Sequence, residues 1–441
     1  MATNATSRSP DPPQEAADPD VAGDLDVDVA VIGAGPAGSA AALAVLAARP
    51  RARVALLDRA AFPRDKTCGD GVAPQVLDVL GRLGVRGLLD DWPTVDRLEL
   101  GYPGGPWLSG RMARPNYVVP RVVLDARLTE AAAARGASVL HRRVRTLARD
   151  GESVVSAGVR ARVVVGADGA SSAVRAWLDP PGGGHTAIAL RGYAPVLPGR
   201  EGAQVIVFDP EGPWPAYAWS FPIGDGTANV GYGQILPVAH GGGSTGPTRA
   251  HLFQRLDTLL PGAVEGGRQW RGHHLPLSSA RWRQPDGPVL LAGDALGLVN
   301  PLTGEGIHAA VLSGAYAGLA AASALSVGRP SLAGARYRAA LRSRFGRHWR
   351  HMAALARITR RYTGPEGAAV AAEDADVSGV ALADEGGRRL VAAALAAGAR
   401  DQRVFDDLAQ MGLAEGPLTA RAVSGLVLQL LRSRGSSPAS P

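Results

Sequence analysis

The chain has 441 residues, 46% of them hydrophobic and 20% charged, with a formal net charge of +7. That length suits two or three structural units around a large core, and the apolar content excludes a wholly disordered chain. Its one cysteine, Cys68, excludes an intramolecular disulfide framework and fits a reducing, cytoplasmic setting. The basic excess is nearly all arginine, Lys66 being the only lysine. No nucleic-acid motif accompanies it, so no nucleic-acid partner is expected.

Residues 1–25 are polar, acidic and proline-bearing and read as a disordered tail without the character of a signal peptide. The organising stretch follows at Asp28–Gly38, DVAVIGAGPAG. A short apolar strand runs into Gly33-Ala-Gly35-Pro36-Ala37-Gly38 and then into an Ala-rich helix. Gly33 turns the chain off the strand, Gly35 lets backbone approach a pyrophosphate, and Gly38 lets the helix lie against the strand. The phosphates then meet the unpaired N–H groups of the helix N-terminus. A second strand, Arg53–Leu57, ends in Asp58, placed for a ribose hydroxyl, with Arg59 beside it.

PRDKTCGDG, from Pro63, reads as loop, and Pro74 starts a helix. Val95–Leu108 reads as a strand pair that leaves the nucleotide-binding unit, and Arg121 to Asp125 opens a helix on the return. A strand then ends in GADG, Gly166–Gly169, with Asp168 at its carboxyl edge. From His185 to about Leu277, short alternating segments separated by Gly, Pro and Asp predict an antiparallel sheet. PVLLAGD, Pro288–Asp294, is a buried strand, followed by a loop and a small-residue helix from Ile307. Ala309–Leu325 is interrupted by Ser and Tyr and is not read as a membrane span. The remainder, Arg336–Arg434, is mostly helical, broken near Gly364–Glu385. Its basic stretch Arg336–Arg361 reads either as a solvated helix face or as a surface for an anionic lipid, carrier or diphosphate.

Three strand ends therefore carry glycine or acid signatures, at Gly33 with Asp58, at Asp168 and at Asp294. Ligands of open α/β sheets bind at the carboxyl ends of strands, so the three converge on one extended cofactor. A flavin on a ribityl chain fits that length, with Asp294 accepting hydrogen bonds. The helix N-terminus at Glu305-Gly306-Ile307 would face the negative charge of the reduced ring.

The motifs GAGPAG (Gly33–Gly38), PRDKTCGDGV (Pro63–Val72), Arg121 with Asp125, GADGASSAVR (Gly166–Arg175), YAWSFPIGDGTANVGYG (Tyr217–Gly233) and GDALGLVNPLTGEGI (Gly293–Ile307) span about three quarters of the chain. In this order they resemble the geranylgeranyl reductase family within the aromatic-hydroxylase-like FAD flavoproteins. Phe405–Thr419 is similar to the family's C-terminal segment. One departure is Trp214, where the family's PxxYxWxFP motif begins with proline. The resemblance implies a Rossmann-type FAD-binding domain, with an inserted antiparallel substrate domain and a C-terminal helical region. The expected boundaries are 26–96, 113–180 and 281–335 for the first, 97–112 and 181–280 for the second, and 336–434 for the third, with a tail at 435–441. It further implies FAD held by the three strand ends, by the loop Cys68-Gly69-Asp70-Gly71, by Arg121, and by Gly304, Gly306 and Ile307.

The family chemistry is saturation of isolated prenyl double bonds by reduced FAD. Protonating a trisubstituted alkene develops tertiary cation character, which aromatic faces stabilise. Tyr217, Trp219 and Phe221 alternate on one strand and share a face, either lining such a cavity or forming core. Cys68 reads as proton donor or flavin-facing group, beside Lys66, or as a small inert hydrophobe. Asp70 reads as cofactor loop or as an acid binding backbone N–H groups. Arg121 reads as a phosphate or adenine contact, or as a surface partner of Asp125.

The histidines lack partners at metal spacing, so no metal is expected. The competing activity is a flavin monooxygenase or epoxidase. A halogenase would need a lysine in the substrate region, and a non-enzymatic prenyl escort would not need the flavin-side motifs. The reductant is NADPH or another carrier, including an electron-donor protein, and Val423–Leu431 reads either as the packed face of a terminal helix or as a peripheral membrane contact. The sequence carries no reading of oligomeric state.

Overall fold

The computed structural model describes residues 25–101, 103–105, 107–213, 215–236, 246–363, 392–413 and 424. The expected tails (apart from Leu25), Trp214, the break near Gly364–Glu385, the end of the Phe405–Thr419 segment and all but one residue of Val423–Leu431 lie outside them.

In chain order the strands are β1 (Leu25–Ile32), β2 (Val54–Asp58), β3 (Gly71–Val72), β4 (Thr94–Gly101), β5 (Leu108–Val118), β6 (Ser138–His141), β7 (Ala148–Asp150), β8 (Ser153–Ser156), β9 (Val159–Gly166), β10 (Thr186–Pro195), β11 (Ala203–Phe208), β12 (Ala216–Pro222), β13 (Thr227–Ile235), β14 (Arg268–Pro276) and β15 (Val289–Leu291). The helices are α1 (Pro36–Ala48), α2 (Pro74–Arg82), α3 (Arg121–Ala134), α4 (Ala173–Leu178), α5 (Arg249–Leu259), α6 (Ile307–Ser326), α7 (Ala333–Thr363) and α8 (Gln402–Leu413).

The first sheet runs β6-β2-β1-β9-β8-β7, and β15 joins β9. Ile32 sits opposite both Leu57 and Gly166, and Leu291 lies opposite Gly166, all in parallel register. The carboxyl ends of β1, β2, β9 and β15 therefore share one edge, which is where a doubly wound sheet binds its ligand. Their near-continuous Val, Leu and Ala runs follow from burial on both faces.

Helices α1 and α6 cover one face of this sheet, and only small residues permit their approach. A Cβ on Gly314 would stand 2.0 Å from the Ala37 carbonyl oxygen, and one on Gly318 would stand 2.3 Å from that of Ala41. By length and hydropathy α6 could cross a bilayer, contrary to the reading of its Ser and Tyr as disqualifying. Its packing decides the matter, since 78% of the apolar window is buried inside the protein.

The second sheet runs β14-β10-β13-β12-β11-β4-β5-β3 and is antiparallel except between β4 and β11. It takes in all of Leu108–Val118 and even Gly71–Val72, so the expected boundary at 97–112 falls inside its strands. Alternation along β12 gives the sheet two different faces. Ala216 and Ala218 pack beneath α5 against Leu252 and Leu256, while Tyr217, Trp219 and Phe221 point the other way.

Candidate active site

The glycine turn is fixed by close contact. A Cβ on Gly33, whose φ is +99°, would lie 2.3 Å from the Ala167 carbonyl oxygen. A Cβ on Gly38 would lie 1.7 Å from that of Gly33. Asp58 is buried at the end of β2, where its carboxylate accepts the Ala34 and Ala60 N–H groups at 2.9 and 3.0 Å. Pro36 and Ala37 form the first turn of α1.

Two guanidiniums stand over this turn: Arg64 and Arg121 each place an Nη2 3.5 Å from where a Gly35 Cβ would be. Asp125 holds both, accepting from Arg121 Nε and Nη2 at 2.6 and 2.7 Å and pairing with Arg64 at 3.0 Å. The Arg121–Asp125 pair is buried, so the alternative reading of it as a surface contact does not hold. Burial opposes the charge on Arg121, but Asp125 outweighs it and raises the guanidinium pKa further. Arg59, a candidate cofactor contact beside Asp58, has an exposed side chain, while Arg64 of the next loop turns inward to Asp58.

Asp168 proves to be occupied locally. It accepts from Ser172 Oγ at 2.5 Å and from the Ala173 N–H at 2.7 Å, shaping the entry to α4. Its carboxylate thus organises the turn beside the cofactor edge. Arg175, in the same motif, reaches the Ala295 carbonyl at 3.1 Å and ties the turn to the Asp294 loop. Asp294 pairs with Lys66 at 2.9 Å. Burial would push this acid up, but the Lys66 charge and hydrogen bond hold it below the ordinary carboxylate range.

Beyond the turn lies one cavity of about 370 Å³. Its polar end is lined by Pro36, Lys66 to Gly71, Arg121, Asp294, and Asn300 to Ile307, including Gly304 and Gly306. Tyr217, Trp219 and Phe221 form one wall, their ring centres 6.0 and 6.5 Å apart in succession. Gly304 must be glycine here: its φ is +65° and a Cβ would lie 2.8 Å from the Tyr217 hydroxyl, which donates to the Thr303 carbonyl. The far end is apolar, between Leu98, Leu100, Ile206 and Phe208 of the second sheet and Leu395, Val404 and Leu408 at α8 and just before it.

The loop bearing Cys68 rests on the aromatic wall through a buried polar network. Trp219 Nε1 donates to Asn229 Oδ1 at 2.8 Å. Asn229 Nδ2 donates to the Cys68 carbonyl at 2.8 Å and to Asp70 Oδ2 at 2.7 Å. Tyr193 donates to the same oxygen at 2.6 Å. The partners of Asp70 are thus side chains of the second sheet rather than the backbone N–H groups expected. Burial pushes Asp70 up to about 6 despite Tyr193, Arg191 and Asn229, which favour its charge. Burial also pushes the Cys68 thiol up, while Arg121 and, more weakly, Lys66 pull it back. Lys66 is committed to Asp294, and desolvation of the thiol outweighs its pull. Arg64, Tyr193 and Asn229 were missed from the sequence. Asn229 lies inside the motif that flagged Trp219, and it sits directly opposite Phe221 of β12 and Tyr193 of β10, on the same face as the aromatics.

A cradle of glycines under two guanidiniums, at a shared strand edge and opening into a partly polar cavity, defines a dinucleotide-dependent flavoprotein site. The family described as FAD binding domain matches residues 26–332, and the chain belongs to it. It is an FAD-dependent oxidoreductase of the geranylgeranyl reductase-like group. The chain is 33% identical over 309 residues to a menaquinone reductase of Mycolicibacterium smegmatis, covering 66% of this chain and 75% of that protein. It is also 33% identical over 330 residues to digeranylgeranylglycerophospholipid reductase 1 of Methanopyrus kandleri, covering 68% and 82%. A solved geranylgeranyl bacteriochlorophyll reductase-like protein of Thermoplasma acidophilum has the same fold, with a TM-score of 0.66, 21% identity, and coverage of 93% and 97%. The residues at hand fit FAD: a Cβ-free approach at Gly35 faces two positive side chains, and the adjoining cavity is contiguous with it through Pro36 and Arg121.

Proposed function

We propose that this protein saturates carbon–carbon double bonds of a prenyl chain or a similarly apolar substrate. The observation that carries the reading is the cavity itself, polar at the cofactor edge, aromatic along one wall and aliphatic to its far end. Bound FAD, once reduced, supplies the hydride. Arg64 and Arg121, oriented by Asp125, bind the pyrophosphate at the α1 N-terminus. Lys66 and Asp294 form a compact ion pair at the flavin end and hold the two loops together. Trp219 and Phe221 present aromatic faces to positive charge developing on a protonated alkene. Menaquinone and digeranylgeranyl lipids, named for the two relatives, both carry isoprenoid chains, which supports the same substrate class.

The reductant is NADPH or another carrier, including a donor protein. A peripheral membrane contact through Val423–Leu431 would bring lipid-borne chains to the cavity. The test is anaerobic. Photoreduced, FAD-loaded protein is mixed with polyprenyl and aromatic candidates, and return of the yellow colour is followed. Reoxidation by a prenyl substrate without oxygen supports the reading. Turnover that needs oxygen and adds oxygen to the product overturns it in favour of a monooxygenase.

A further inference from the structure

Saturating an isolated alkene consumes a proton as well as a hydride, and few groups on this cavity can give one. Lys66 is bound to Asp294, and the Tyr217 hydroxyl donates to the Thr303 carbonyl. Burial raises the Cys68 thiol, making it harder to ionise, and disfavours the protonated form of His273. Asp70 is differently placed. Its backbone is left-handed, with φ at +60°, which projects the carboxyl from the loop to the buried ends of Tyr193 and Asn229.

The network fixes which oxygen does what. Trp219 Nε1–H can only donate, so the Asn229 amide oxygen must face it and the amide NH₂ must face Asp70. Asp70 Oδ2 therefore takes two donors, while Oδ1 is buried and has no hydrogen-bond partner. An acceptor oxygen left bare in the interior is costly, and a proton on it changes an unsatisfied acceptor into a donor. The residue lines the cavity between Cys68 and Gly71, and its neighbour Gly69 abuts the aromatic wall, a Cβ there lying 3.6 Å from Trp219 Nε1 and from the Phe221 ring.

We propose that Asp70 is the acid that delivers the proton to the alkene, carried on Oδ1, with Tyr193 and Asn229 as positioning residues. The proposal rests on the reductase reading. In the step, the alkene π bond breaks and two C–H bonds form, one from the hydride of reduced flavin and one from the Asp70 O–H bond. The alkene is reduced, the flavin is oxidised, and the aspartate left behind recovers its proton from water. Arg191 of β10 and Arg121 of α3 bear on this carboxyl as positive charges. The Tyr193 hydroxyl and the Cys68 thiol are the other titratable groups facing it. The arginines and the Tyr193 hydrogen bond keep it from rising further, to a range where it can both give and regain a proton near neutrality.

The experiment compares FAD-loaded wild type, D70N and Y193F by two readouts. Asparagine suits the left-handed backbone and keeps an acceptor for Tyr193, so D70N preserves the fold. Infrared difference spectra across pH follow the buried carboxylic acid band. The expected band titrates near pH 6 in wild type, is missing in D70N, and titrates higher in Y193F, which lacks a donor favouring the charged form. Anaerobic single turnover with a prenyl alkene gives a wild-type rate that falls about tenfold per pH unit above that midpoint. D70N is about 10²–10⁴-fold slower and loses this limb. A D70N protein that keeps the wild-type rate and pH limb overturns the assignment while leaving the reductase reading standing. A titrating band that survives D70N also overturns it. A wild type that leaves every prenyl alkene untouched overturns the reductase reading and the proton transfer with it.

Discussion

Replacing Asp125 by asparagine removes one negative charge from beneath two guanidiniums and nearly nothing else. The side chain is fully buried, accepts two bonds of 2.6 and 2.7 Å from Arg121, and lies 3.0 Å from Arg64. Asparagine fills the same volume but turns an N–H group toward one of those donors. Breaking a buried pair by removing one partner costs about 3–5 kcal/mol, because the remaining charge stays desolvated. Bound FAD changes that outcome, since its pyrophosphate brings negative charge to the same two arginines. The loss in FAD-saturated protein is therefore smaller, by about 1.5–3 kcal/mol, the worth of a hydrogen bond to a charged group. Urea unfolding of flavin-stripped and FAD-saturated D125N, against wild type in the same two states, measures both numbers. An equal loss in the two states, or no loss in the stripped protein, would refute a phosphate cradle built from Arg64, Arg121 and Asp125.

The G38A variant should purify colourless or insoluble, because its methyl group would lie 1.7 Å from a backbone oxygen that cannot move aside; absorbance of bound flavin per chain checks this. Asp70 binds its proton more tightly folded than unfolded, its value rising from 3.8 to about 6. Its contribution to stability is thus present at low pH and lost as pH rises through that interval, by about 3 kcal/mol. Stability curves of wild type and D70N should accordingly diverge between those values and run parallel above them. Alkylation of Cys68 by iodoacetamide at neutral pH should be slower than that of a free thiol of ordinary pKa, since burial disfavours its thiolate; mass spectrometry over time reads the rate. Leu408→Trp fills the apolar end of the cavity and should cut turnover of long prenyl chains about 10–100-fold while sparing short ones, as a product series by chain length would show.

The cofactor edge was legible because backbone geometry demanded particular residues. Gly33 and Gly38 have no alternatives at their contacts, and the strand ends at Asp58, Asp168 and Asp294 follow from the doubly wound order. Even there, type and position did not disclose use: Asp168 caps a turn, and Asp294 is matched by Lys66 across 228 residues of sequence. The aromatic face of β12 was readable from alternation. The network that ties this face to the Cys68 loop was not, since Asp70 meets Tyr193 and Asn229 across 123 and 159 positions, and no local pattern encodes such meetings. Arg64 escaped notice because its loop has no period, so nothing in the sequence says which of several arginines turns inward. The closing of the cavity by Leu395 and Leu408 was equally hidden, as an amphipathic helix does not name the sheet it will cover.

The most direct measurement is the mass of the product after one anaerobic turnover of photoreduced protein with a polyprenyl substrate. The account predicts a gain of two hydrogens per bond saturated, no added oxygen, and one flavin reoxidised for each. A flavin that stays reduced until oxygen is admitted, or a product heavier by an oxygen atom, would contradict it.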